Sequence, residues 1–234
     1  MLALWRRPVN ITRIGVMLPY KLTLALRPAE VPMPKLSLAA GLATPLALFM
    51  ALALLGGCAQ QTSLLNQPLA WTPTKTLDLG VTQGGEPATV RFETFSDTAS
   101  DPRLVGENHE QATPRPVTTA DPVGDFVTRH LEQLFAQAGY AAGGANADRV
   151  ISGQVSKFFV NEKDTYSGSV VLNITVSDRD GKVLWRGTVW GANETFGRSY
   201  HLDNYQQVLS DSLIDAANNL LKNSTLRDAL TLKH

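Results

Sequence analysis

The sequence predicts an α+β domain: an antiparallel β-sheet of about five strands with two helices on one face, in the order β-β-α-β-β-β-α. Three observations carry this. Between Val123 and Ala138 the apolar residues recur at helical spacing. Three runs between Val150 and Trp190 alternate with period two, and an Asp-Gly turn joins the last two. A second helical stripe lies between Tyr205 and Leu221. Strands grouped together, rather than alternating strictly with helices, suit a sheet that carries its helices on one side.

Each element has its own local reason. Thr76-Leu77-Asp78-Leu79-Gly80-Val81 alternates and reads as a strand, Gly84-Gly85 as a turn, and Ala88 to Phe95 as a second strand. Residues 96–120, with Asp97, Asp101, Pro102, Pro114 and Pro116, read as a long polar loop, a length that implies either function or mobility. Asp121-Pro122 opens the first helix, with Asp121 as N-cap and Pro122 at the first helical position, where its missing N–H costs nothing. Val123, Phe126, Val127, Leu131, Leu134, Phe135 and Ala138 form its stripe, and Gly139 ends it. Three strands follow: Val150–Val160, Ser169–Ser177 and Val183–Trp190, the last two joined through Arg179-Asp180-Gly181-Lys182. Trp185 and Trp190 fall on opposite faces of the third; Trp185 suits the core, and Trp190 suits either edge packing or an exposed contact. Asp203 is the expected N-cap of the second helix, with Gln206 completing a capping box.

The chain has 234 residues, one cysteine, and 21 basic against 21 acidic residues. Zero net charge argues against a protein that holds nucleic acid by bulk electrostatics. The zero conceals two unequal parts. Residues 1–57 hold six basic residues and one acidic residue, Glu30, whereas residues 58–234 hold 15 basic and 20 acidic. From Leu36 to Leu55 there is no charge; Lys35 precedes this run and Leu55-Gly56-Gly57-Cys58 ends it. A basic start, an apolar run and small residues at its end are the parts of a secretory signal. A transmembrane helix over 36–55 is the rival reading, since about 20 apolar residues can span a bilayer.

Leu55-Gly56-Gly57-Cys58 resembles the lipobox of bacterial lipoproteins. That resemblance implies cleavage between Gly57 and Cys58, diacylglycerol on the Cys58 thiol, and acylation of the new amino group. With Ala59 rather than Asp after the cysteine, it also implies sorting to the inner leaflet of the outer membrane, facing the periplasm. The resulting division is an upstream segment 1–32, a signal peptide 33–57, a lipidated tether 58–73, a periplasmic domain 74–222 and a tail 223–234. Met33-Pro34-Lys35 would begin a signal of normal length by itself, so 1–32 read as an over-extended start.

The domain carries further motifs: Ile151-Ser152-Gly153-Gln154-Val155, Tyr166-Ser167-Gly168, Asp180-Gly181-Lys182-Val183-Leu184-Trp185, Phe196-Gly197-Arg198-Ser199 and Leu209-Ser210-Asp211-Ser212-Leu213. Together these resemble the YajG-like family of proteobacterial outer-membrane lipoproteins. The resemblance implies a periplasmic lipoprotein and supplies no catalytic residues.

Candidate chemistry is sparse. His109, His130, His201 and His234 share no metal-ligand spacing, and His130 is expected partly exposed beside the helical stripe. Asp97, Asp101 and Glu107 form a carboxylate group that could suit acid–base work, but a solvated loop is the simpler reading. The expectation is therefore a non-enzyme with neither metal nor cofactor. It would be held to the membrane by its lipid and would bind an envelope protein or a cell-wall component. The alternative is an auxiliary lipoprotein of an envelope lipid or small-molecule transport system, with an apolar ligand between sheet and helices.

Overall fold

The computed structural model describes residues 63–78 and 86–232. The signal, Cys58 and His234 lie outside them, as do Leu79-Gly80-Val81 and Gly84-Gly85; Thr76–Asp78 form no strand. The fold is α+β. Its strands are β1 (Val90–Phe92), β2 (Ser96–Asp97), β3 (Leu104–Asn108), β4 (Arg115–Thr118), β5 (Arg149–Glu162), β6 (Thr165–Asp178) and β7 (Val183–Phe196). Its helices are α1 (Val123–Gln137), α2 (Leu202–Lys222) and α3 (Ser224–Ala229).

The sheet is larger than the expected five strands, and it is mixed. β5, β6 and β7 form the expected antiparallel meander. On the other side of β5, three short strands line up one after another, all parallel to it: β1 beside Arg149–Ile151, β2 beside Gln154–Val155 and β3 beside Val160–Glu162. β4 closes a hairpin on β3. The segment 96–120 is therefore mostly sheet rather than one long loop. A 14-residue strand offers more edge than any single short neighbour can cover, and successive short segments satisfy its backbone groups piece by piece.

β6 shows why both helices lie on one face. Tyr166, Gly168, Val170, Leu172, Ile174 and Val176 are buried, while Thr165, Ser167, Ser169, Val171, Asn173 and Thr175 are only partly so. Against the buried side α1 packs Phe126 onto Phe158 and Phe135 onto Phe92, and α2 sets Tyr205 edge-on to Tyr166. Each large apolar side chain buried in this layer contributes roughly 1.5–3 kcal/mol. α1 ends as its sequence requires. Gly139 has φ 90° and donates to Ala136 O, and Tyr140 donates to Phe135 O. The β6–β7 turn also follows expectation, with Gly181 at φ 85° and Asp178 Oδ1 accepting from the N–H groups of Asp180 and Lys182.

Neither expected N-cap forms. Pro122 and His201 occupy the cap positions, without side-chain caps. Asp121 instead accepts from Leu69 N–H at 2.7 Å, and Gln206 donates to Pro68 O at 2.9 Å. Both side chains are taken by the segment that precedes the domain. That segment, read as the end of the tether, lies along α2 as a strap. Thr72 N–H donates to Ser210, the N–H groups of Thr74 and Lys75 donate to Asp211, and Asp78 N–H donates to Asn218. Leu64 and Leu77 are buried within the core. The C-terminal stretch after 222 is also folded: α3 buries Leu226, and Leu230 follows it into the core.

Candidate functional site

Two polar clusters among the described residues stand out as candidates. The first is at the end of the sheet where β5 turns into β6. Glu162 continues the inward register of Val160 and is completely buried. Its Oε2 accepts from the Tyr205 hydroxyl at 2.6 Å, and its Oε1 accepts from the N–H groups of Ser199 and Tyr200 at 3.0 and 2.8 Å. Those two residues have φ 127° and 52°, in the left-handed region that non-glycine residues avoid. The carboxylate is thus what pins the β7–α2 connection in an unfavourable backbone. Burial alone would push the Glu162 carboxyl up. The hydrogen bonds from the Tyr205 hydroxyl and the Tyr200 N–H, with the Asn108 amide and the Tyr166 hydroxyl close by, together outweigh it and hold the group below the usual glutamate range. The same burial, with the facing carboxylate, pushes the Tyr205 hydroxyl strongly up. Asn108 sits beside this network, although its Nδ2, like Arg115 Nε, makes no well-formed bond. Arg115 reaches Asn108 Oδ1 and lies 4.1 Å over the Tyr200 ring. Both oxygens of Glu162 are engaged in holding the Tyr205 hydroxyl and the Ser199–Tyr200 backbone, so the chemistry is that of a clasp.

The second place is the sheet face away from the helices. Register sets Ser96, Gln154, Asn173 and Thr188 in one row across β2, β5, β6 and β7. Thr175 and Arg186 stand in the next row. Thr188 donates to Asn173 Oδ1 and Asn173 Nδ2 donates to Ser156, both at 2.7 Å. These rows line a cleft of about 560 Å³ whose lining holds no histidine, cysteine or carboxylate. Beside it Trp190 stands 63% exposed, opposite Val171. Amides, hydroxyls, one guanidinium and an uncovered indole can recognise a partner, but they cannot provide a nucleophile with its base.

The residues singled out from sequence are dispersed. Asp97 Oδ1 accepts from Ala99 N–H and Asp101 Oδ1 from Arg103 N–H, each closing its own turn. Glu107 pairs with His109 at 3.2 Å. His130 is buried rather than partly exposed: it stacks on Trp71 at 4.3 Å, and burial pushes its imidazole pKa down. No group of three or more His, Cys, Asp or Glu side chains that could hold a metal occurs among the described residues. Among the same residues, no helix is long and apolar enough to cross a membrane. Trp185 packs against the core and donates to Thr225, as its register suggests. Sequence reasoning missed Glu162, although an acidic residue placed two after Val160 in an inward register was the available signal.

No protein-family model matches the chain, and no curated protein matches it. The YajG-like resemblance therefore rests on the quoted residues alone. Among solved structures, protein XCC0632 from Xanthomonas campestris, of the family DUF330, is similar with a TM-score of 0.53 at 14% identity. The match covers 69% of this chain and 96% of that one, and it is a likeness of fold. The PelC dodecamer from Paraburkholderia phytofirmans gives a TM-score of 0.38 at 13% identity, over 65% of this chain and 94% of that one. A candidate lipoprotein from Caulobacter crescentus gives 0.33 at 12% identity, over 53% and 87%. At these scores the last two add no argument.

Proposed function

We propose that this chain is a lipid-anchored lipoprotein of the outer membrane whose periplasmic domain binds an envelope partner through the open face of its sheet. The anchor is read from Leu55-Gly56-Gly57-Cys58, with diacylglycerol and an N-acyl group on Cys58. One observation carries the binding role. Trp190 stands 63% exposed beside the polar cleft, on the face no helix covers. A tryptophan left in water forgoes a large burial, and such side chains are enriched where partners dock. The alternative, an auxiliary lipoprotein of a transport system, would put an apolar ligand between sheet and helices. That space is filled by Tyr166, Leu172, Ile174, Leu209 and Leu213, each 2% exposed or less, so the outer face is favoured.

The test is photo-crosslinking in intact cells. A crosslinking residue at Trp190 or Thr188 gives a reproducible adduct that one at Gln133, on the exposed side of α1, does not. Equal yields from both faces sink the reading. Mass spectrometry of the membrane-extracted protein checks the anchor, and an uncut, unacylated chain at Cys58 removes it.

A further inference from the structure

Apolar side chains stand exposed at the end of the sheet nearest the strap. Phe196, the last residue of β7, is 86% exposed, and Leu65 is 50% exposed. They belong to the same end of the domain. Leu64 lines one cleft with Ser199, Tyr200 and His201, the residues that follow Phe196 into α2. Phe196 itself pairs with Thr165 at the β5–β6 turn. Nothing about the fold requires this exposure, because Gly197 and Arg198 carry the chain on without covering the ring.

Chain length says what lies opposite. Leu64 is buried and accepts a hydrogen bond from Thr118 N–H at 3.0 Å, so the strap is fixed to the domain from that point on. Only five residues separate it from Cys58. Fully extended, the six steps span at most about 20 Å. An acylated Cys58 therefore keeps this end of the domain within about 20 Å of the lipid headgroups and excludes the pose in which the opposite end faces the bilayer. The far end of β7, at Val183 and Leu184, lies on the order of 40 Å away at about 3.3 Å per residue.

We infer that the domain rests on the membrane by this end, with the Phe196 ring seated in the lipid interface and the strands of the sheet standing away from the bilayer. This rests on the anchor proposed above. An aromatic ring beside polar backbone suits the headgroup boundary, and it adds a second contact to the acyl chains. The open face would then be presented along its length to the periplasm, not pressed against lipid.

The test uses the lipidated protein in vesicles of phosphatidylethanolamine and phosphatidylglycerol doped with doxyl-labelled phosphatidylcholine. Cys58 is the only cysteine, and it is blocked by its acyl chain, so Phe196→Cys and Leu184→Cys each provide a single free thiol for a bimane label. Both positions are exposed, so both variants keep the fold. The label at 196 is expected to be quenched several-fold more than the label at 184. Flotation of the same vesicles separates the two readings. Protein that floats with lipid but shows no greater quenching at 196 overturns the docked end and leaves the anchor standing. Protein that does not float overturns both.

Discussion

Glu162 is the residue on which the end of the sheet depends. A buried carboxylate without a cation is tolerated only because its oxygens are met by donors, here a tyrosine hydroxyl and two main-chain N–H groups. Glu162→Gln keeps the volume but sets an amide donor against those donors. It should destabilise the domain by about 2 kcal/mol, a typical cost for leaving buried partners unmet. The sign of the pH dependence follows from the direction of the shift. With a folded pKa held below its unfolded value of about 4.3, the carboxylate contributes stability above that pH. The contribution is lost as pH falls through the folded value. Asp148, held down chiefly by the Thr89 hydroxyl, acts in the same direction. The informative quantity is therefore the wild-type curve minus the Glu162→Gln curve, from urea unfolding between pH 7 and pH 3. That difference should shrink towards acid, and one that stays constant would show that the carboxylate's charge plays no part.

Helix α2 protects the sheet as well as covering it. β7 is a 14-residue edge strand, and an uncovered edge of that length invites pairing with another chain. α2 closes its middle: Asp215 accepts from Ala192 N–H at 2.9 Å, and Asn219 donates to Trp190 O at 2.9 Å. The approach is possible because position 191 is glycine. A Cβ there would lie 2.2 Å from Ala216 N and from Ser212 O, both main-chain atoms that cannot swing aside. Gly191→Ala should therefore push the helix off the edge, lower stability by about 2–3 kcal/mol, and raise self-association in sedimentation above that of the parent. An alanine variant as stable and as monodisperse as the parent would refute the edge-capping role. The elements that could be read from sequence are those with a sustained local period: α1 and α2 through their stripes, and β5 to β7 through alternation and the Asp-Gly turn. β1 lies inside the alternating run Ala88 to Phe95, which reads as a strand; β2 and β3, of two and five residues, are too short to show a period, and only the long edge of β5 makes them strands. The caps failed for a related reason: Asp121 and Gln206 bond partners 52 and 138 residues away, which no local motif encodes. The clasp and the open face were hidden likewise, since register across four strands brings Ser96 to Thr188 and strained backbone brings Tyr200 to Glu162.

The core is closed from both termini of the domain, which makes the strap part of the fold. Leu64 and Leu77 are buried, and Trp71 packs against the core over Phe126 and His130. Between them the strap is bonded at intervals along α2, most heavily at Asp211, which is 1% exposed and accepts from Thr74 N–H, the Thr74 hydroxyl, Lys75 N–H and Asn193. Removing the strap would uncover Asp211 and Ser210 on α2 together with the apolar surface beneath Leu64 and Trp71. Two truncations separate a tether from a structural segment. A chain beginning at Ser63 should unfold at the same urea concentration as one beginning at Ala59. One beginning at Glu86 should lose at least about 3 kcal/mol, counting two buried leucines, part of a tryptophan and the bonds to Asp211 against the entropy recovered by the shorter chain. It should also bind a hydrophobic dye that the longer chain does not. Equal midpoints for the two would mean that the strap merely lies on the domain, and the short reach from Cys58 to Leu64 would no longer orient the sheet at the membrane.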